Sequence, residues 1–264
     1  MEPILVAQSL AIAGITTVLA TKQYGELTGY VLPLLFLPTF ITNSLSIALV
    51  PSISEAEAKS NHNLIMYRIH QSIRISFASG AISTIILVLF SKTILIYMYG
   101  TDHASTLMLL MAPFYILLYI QSPLQAALQA LDLARPAMWN SLIGNAVKFT
   151  VLFVLASNPT FGIMGVAIAM SVGVILVTLL HLATLQKYIH YFIPAKDILK
   201  MVLLLGFTWI TGYFLKQFFL QDHTNLFLFL FVVFLLLLIY ILFLFLLRFI
   251  TKEELAKSPS CKDI

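Results

Sequence analysis

Apolar residues fill this chain in long blocks separated by brief polar breaks. A helix needs about 20 mostly apolar residues to cross a hydrocarbon core of roughly 30 Å. On that measure residues 3–20 form a short, partial span that carries Gln8, Gly14, Thr16 and Thr17. Seven full spans follow, over residues 27–50, 73–99, 104–131, 137–156, 162–185, 198–215 and 225–250. Gly100-Thr101-Asp102 and Ser157-Asn158-Pro159 supply turns, Asp132 closes the block before it, and Pro136 is placed as a first-turn proline. Pro33, Pro38 and Pro51 punctuate the block around 27–50. The charged stretch after it, to Ser60, favours helix and is expected to continue that helix into water. The longest polar link is residues 52–74, and the other links are short, as antiparallel helical neighbours require. The last block is almost pure Leu, Phe, Ile and Val, which suits a helix facing lipid on most sides. The expected fold is an all-α polytopic membrane protein, with a transmembrane body over 1–250 and a polar tail over 251–264.

Composition removes the soluble alternative. The 264 residues are 60% hydrophobic and 10% charged, with a mean hydropathy of +0.98. Soluble domains carry about 25% charged residues, so this chain lacks the polar surface to coat a soluble globule. The net charge of +4 could suggest nucleic acid, but the bases are scattered through short loops, and membrane orientation explains them better. The single cysteine, Cys261, excludes a disulfide within the chain and offers nothing to a metal cluster. Glu2 stands where a signal peptide would be basic, so no cleavable leader is expected.

Because helices alternate sides, the loops sort into two sets. One holds Lys59, Arg68, Arg74, Arg135, Lys187, Lys196, Lys200, Arg248, Lys252, Lys257 and Lys262; the other holds Lys22, Lys92 and Lys216. That count of eleven against three puts the first set and the C-terminus in the cytoplasm.

Lys148 belongs to neither set, since it lies inside the 137–156 span. A cation at membrane depth is costly and usually faces a bundle interior or a wet cavity. Asn140, Gly144 and Lys148 step by four and share roughly one helix face. Lys148 either lines a polar cavity and meets an anionic headgroup, or is a structural lysine paired locally or snorkelling outward. Gln121, Gln125 and Gln129 form a second stripe, on the preceding helix. Amides donate and accept, which suits sugar hydroxyls, but they also glue helices together in lipid. Asn43 and Thr39 have the same two readings, with packing the favoured one, and Glu2 is either a wet terminus or a buried carboxylate. Gly162, Gly165, Ala169 and Gly173 give one helix a side for close packing. His181 and His190 are isolated, so no metal site is expected. P-loop and GxSxG patterns are absent, and no carboxylate pair is placed for acid–base work. A catalyst is not expected, nor a cofactor.

The phrases at residues 2–14 (EPILVAQSLAIAG), 20–38 (ATKQYGELTGYVLPLLFLP) and 44–56 (SLSIALVPSISEA) carry a family resemblance. Residues 124–149 (LQAALQALDLARPAMWNSLIGNAVKF) and 161–169 (FGIMGVAIA) add to it. The chain resembles the stage V sporulation protein B-like polysaccharide and lipid-linked oligosaccharide flippases, within the multidrug/oligosaccharidyl-lipid/polysaccharide exporter superfamily. That resemblance implies a two-lobe, alternating-access transporter of about fourteen helices, and a lysine in the family where Lys148 stands. It implies cargo of lipid-linked oligosaccharide or of cell-wall or spore-cortex precursors, in the bacterial cytoplasmic membrane. It also implies that this chain is the second lobe only, beginning within the family's seventh helix: a fragment, a frameshift product, an internal start or a true half-transporter. A missing N-terminal lobe or a second copy is then the expected partner, beside membrane lipid. Two other functions stay open: a cation-coupled drug exporter of the same superfamily, for which Glu2 is the candidate carboxylate, and a non-transporting remnant or scaffold. The candidate cavity residues are Lys148, Asn140, Gln121, Gln125, Gln129, Asn43 and Glu2.

Overall fold

The computed structural model describes residues 2–220, 225–247 and 249, and among them every regular element is helical. The protein is an all-α polytopic membrane protein. The helices are α1 (Glu2–Ile12), α2 (Thr17–Glu26), a π-helical turn (Leu27–Val31), α3 (Leu32–Phe36), α4 (Thr39–Ala58), α5 (His62–Leu89) and α6 (Ser91–Tyr99). After them come α7 (Ser105–Ala130), α8 (Ala134–Ala156), α9 (Ile163–Ile189), α10 (Ala195–Phe219) and α11 (Leu226–Leu246). Among the described residues, six helices are long and apolar enough to cross a membrane, and seven spans result if the bent pair Thr17–Phe36 and Thr39–Ala58 is one of them. The expected tail over 251–264 lies outside the described residues.

The helices depart from the expected segments in three places, each for a local reason. Residues 3–20 are not one helix. Gly14 takes φ +79°, which ends α1, and α2 starts at Thr17. The flanking Ala13 and Ile15 are apolar, so hydropathy runs straight through the turn. Residues 27–50 belong to a longer, broken helix. Pro33 brings no N–H to the carbonyl of Gly29, and the turn before it widens so that Leu32 N–H donates to Leu27 O. At Leu37-Pro38 the path bends by 51°. Tyr119 OH donates to Leu35 O (2.9 Å), and Thr39 Oγ1 donates to Phe36 O (2.6 Å), so side chains serve carbonyls at the end of α3. Residues 73–99 are two helices, and the first begins at His62, inside the expected polar link. Asn61 caps it by accepting from Leu64 N–H (3.1 Å), and polar residues such as Arg68, Gln71 and Arg74 are as helical as the apolar ones after them.

Two compact units divide the chain, residues 1–192 and 193–264. In the first, α7 is the central helix and packs on α4, α5 and α9. Close approach depends on glycine. A Cβ on Gly80 of α5 would lie 2.1 Å from the buried Tyr119 ring, and one on Gly144 of α8 would lie 2.2 Å from Val177 Cγ2 of α9. Gly165 of α9 meets the backbone of Leu155 and Ala156 in the same way, and Gly173 meets the Lys148 stem, whereas Gly162 precedes the helix at φ +48° and is not on its packing side. In the second unit α10 and α11 pack on each other, with the Phe207 and Phe243 rings 5.6 Å apart. Phe227, Phe231, Phe234 and Phe245 of α11 remain exposed, as lipid-facing residues would be.

Candidate functional site

The first unit bears a partly open hollow of about 400 Å³, walled by Glu2 of α1, Leu32 and Phe36 of α3, Tyr115, Leu118 and Gln121 of α7, Ser141, Asn145 and Lys148 of α8, and Met170, Gly173, Val174 and Val177 of α9. Its chemical centre is an ion pair. Lys148 Nζ donates to Glu2 Oε2 at 2.7 Å, and both side chains are largely shielded. Residues 146 apart in sequence therefore neutralise each other inside a membrane-spanning bundle. Lys148 reaches Glu2 because Gly173 leaves room. A Cβ there would stand 3.1–3.2 Å from Cβ, Cγ and Cδ of Lys148. The ammonium also lies 4.6 Å from the centroid of the Phe149 ring.

The three-residue face of α8 is real, but it is mainly the seam with α9. Asn140 Nδ2 donates to Leu180 O (3.2 Å) and Thr184 Oγ1 (2.8 Å) and lies 3.1 Å from Nδ1 of the fully buried His181. Gly144 meets Val177, and Lys148 meets Gly173. Of the three, Lys148 has the length to leave the seam for the hollow. The face of α8 that lines the hollow is instead Ser141, Asn145 and Lys148, at i, i+4 and i+7. Ser141, Asn145 and Tyr115 were not singled out from sequence. The spacing from Lys148 back to Ser141 was the available signal for the first two, and no spacing pointed to Tyr115.

The glutamine stripe divides. Gln121 lines the main hollow, with Thr178 Oγ1 3.5 Å from its Oε1. It also lines a second hollow of about 260 Å³ together with Gln125, Asn43, Ser122 and Thr39. Phe36, Leu118 and Gln121 are common to both hollows. Asn43 accepts from Ser122 Oγ (2.7 Å), which lies 2.9 Å from Ser46 Oγ, so Asn43 links α4 to α7 while edging the second hollow. Gln129 is exposed at the end of α7. The two hollows adjoin α7; the first holds the ion pair in a mostly apolar wall, and both carry amide and hydroxyl groups.

Three comparisons with known proteins bear on this chain. The MatE family profile matches residues 5–155. Stage V sporulation protein B of Bacillus subtilis (strain 168) is 54% identical over 196 residues, covering 74% of this chain and 38% of that protein. Sporulation protein YkvU of the same organism is 30% identical over 187 residues, covering 71% of this chain and 42% of that protein. The chain thus spans about two fifths of the length of these curated relatives. Among solved structures, one titled lipid II flippase MurJ, inward closed conformation, superposes with a TM-score of 0.65 at 19% identity, over 92% of this chain and 51% of that one. At that identity the likeness is one of fold.

Proposed function

The chain belongs to the MatE family, and we propose that it forms the second lobe of a flippase for a lipid-linked oligosaccharide or a cell-wall or spore-cortex precursor. The observation that carries this is the Lys148–Glu2 pair set among Gln121, Asn145 and Ser141 in one hollow. An ammonium has three donors. One is spent on Glu2, which leaves two for a phosphate oxygen of an incoming headgroup. The amide and hydroxyl groups alongside are suited to sugar hydroxyls. Sequence likeness to two sporulation proteins and fold likeness to a lipid II flippase support the cargo class.

The lobe sits in the bacterial cytoplasmic membrane with its C-terminus in the cytoplasm, on the strength of the eleven-to-three bias of basic loops. An ion pair and unpaired amides are costly against lipid. The lobe's partner is a first lobe or a second copy, whose facing surface completes the wall and allows alternating access. The chain is a transporter part and not an enzyme. Within this chain the candidate carboxylate for a cation-coupled drug exporter is Glu2, and Glu2 already holds Lys148, which favours the flippase.

The test uses vesicles with a fluorescent lipid-linked oligosaccharide in one leaflet. The chain is reconstituted with the N-terminal lobe of its 54%-identical relative, and bleaching from outside reports the label that crosses. Lys148→Ala should slow crossing about a hundredfold while Lys148→Arg keeps part of it, the loss expected when a charged group's hydrogen bonds to substrate go. Unchanged crossing in Lys148→Ala would remove the headgroup role. No crossing by the unaltered pair would remove the transport reading.

A further inference from the structure

Lys148 lines one hollow, and its neighbour Phe149 lines another. The first holds the ion pair with Glu2. The second, about 300 Å³, is lined by Ile4, Leu5 and Gln8 of α1 and by Phe149 of α8. Three of those four side chains are apolar. Phe149 follows Lys148 in sequence, and its ring is the surface over which the ammonium sits. Glu2, Ile4 and Leu5 lie within one turn of α1. The same two helices therefore offer a charged, hydrogen-bonding site and, directly beside it, a hydrocarbon-lined slot.

In a bilayer any apolar slot fills with hydrocarbon. What selects the hydrocarbon is the group at the slot's mouth. Here the ammonium over the slot's Phe149 ring is a cation with donors to spare, and its complement is an anion attached to an apolar chain. We infer that the α1–α8 slot holds the segment of lipid chain nearest the phosphate of the transported lipid-linked substrate, while Lys148 holds the phosphate itself. This rests on the headgroup role of Lys148 proposed above. It adds a specificity device: the slot rewards an anion carried on a chain over a free anion, and over a chain with no charge. Phe149 and Leu5 become specificity-determining residues, distinct from the polar residues that meet the headgroup.

The test is binding to the full chain in phosphatidylcholine nanodiscs, with farnesyl diphosphate and inorganic pyrophosphate as probes. Leu5→Trp fills the slot from a half-exposed position. Farnesyl diphosphate should bind about tenfold more weakly to it, equivalent to about 1.4 kcal/mol, while pyrophosphate binding stays unchanged. Lys148→Gln should weaken both probes. A photoreactive p-benzoylphenylalanine in place of Gln8 should form an adduct with farnesyl diphosphate, and unlabelled probe should compete the adduct away. If Leu5→Trp leaves farnesyl diphosphate affinity intact while Lys148→Gln weakens both probes, the slot assignment fails and the headgroup reading stands. If Lys148→Gln changes neither probe, the headgroup reading fails and takes the selection argument with it. Adducts to phosphatidylcholine at position 8 that farnesyl diphosphate does not diminish would show an ordinary lipid chain in the slot and overturn the inference.

Discussion

Removing either end of the Lys148–Glu2 pair should cost more than removing both. The two charges are 2.7 Å apart, with 17% and 25% of their side chains exposed. At that separation the attraction is about 6 kcal/mol for an effective dielectric of about 20, and about 1.5 kcal/mol for that of water. The hollow is partly open and both side chains keep some exposure, so the pair falls between these limits, and desolvation offsets part of the gain. A coupling of about 1–3 kcal/mol remains. Glu2→Gln leaves an ammonium at membrane depth without its anion. Lys148→Met leaves a carboxylate without its cation. The double variant leaves neither. Thermal unfolding in detergent, followed by loss of the monodisperse peak, reads the difference. About 1 kcal/mol corresponds to roughly 2–4 °C in a chain near this size. Each single variant should melt about 2–12 °C lower, and the double variant should melt higher than either single. Strict additivity of the two losses would refute the claim that these charges depend on each other.

Other predictions concern the packing that holds the hollow open. Gly144→Ala puts a methyl 2.2 Å from Val177 Cγ2 and should destabilise by about 1–3 kcal/mol; adding Val177→Ala should return most of the lost melting temperature, and failure to do so would remove that contact as the cause. Tyr119→Phe deletes the donor to Leu35 O beside the 51° bend. It should cost about 1–3 kcal/mol and speed hydrogen exchange at residues 35–40, whereas unchanged exchange there would show that the bend does not need this bond. Asn140→Leu removes the amide that joins α8 to Leu180 and Thr184. It should lower stability by about 0.5–2 kcal/mol, with pyrophosphate affinity unchanged because the residue faces the seam; a fall in that affinity at full stability would put Asn140 back in the binding site.

Much of the fold was legible because burial in lipid leaves a compositional mark. The blocks of apolar residues required helices, since a spanning segment must satisfy its backbone internally. Hydropathy did not place the breaks at apolar turns, although Gly14 and Pro38 stood out as punctuation. Gly14 and the Leu37-Pro38 bend lie within apolar stretches, where hydropathy has no contrast to show. The start of α5 was missed for the opposite reason: His62 to Arg74 is polar, and helix formation is indifferent to that.

The candidate site divides along the same line. Lys148 was evident from sequence alone, because a cation inside an apolar block has few inexpensive explanations. The i+4 spacing of Asn140, Gly144 and Lys148 was equally plain. What spacing cannot supply is the rotation of that face about the helix axis. Rotation is set by neighbours, and it was Gly144 against Val177 and Gly173 against the lysine stem that turned the face toward α9. Glu2 and Lys148 are 146 residues apart, and no local pattern joins them. Sequence thus determined the solvent of this protein, its helical class and the costly charge of Lys148, each a property of short segments against water or lipid. Tertiary structure alone decided which carboxylate answers that charge and which polar residues share its hollow, because those depend on how helices distant in sequence pack together.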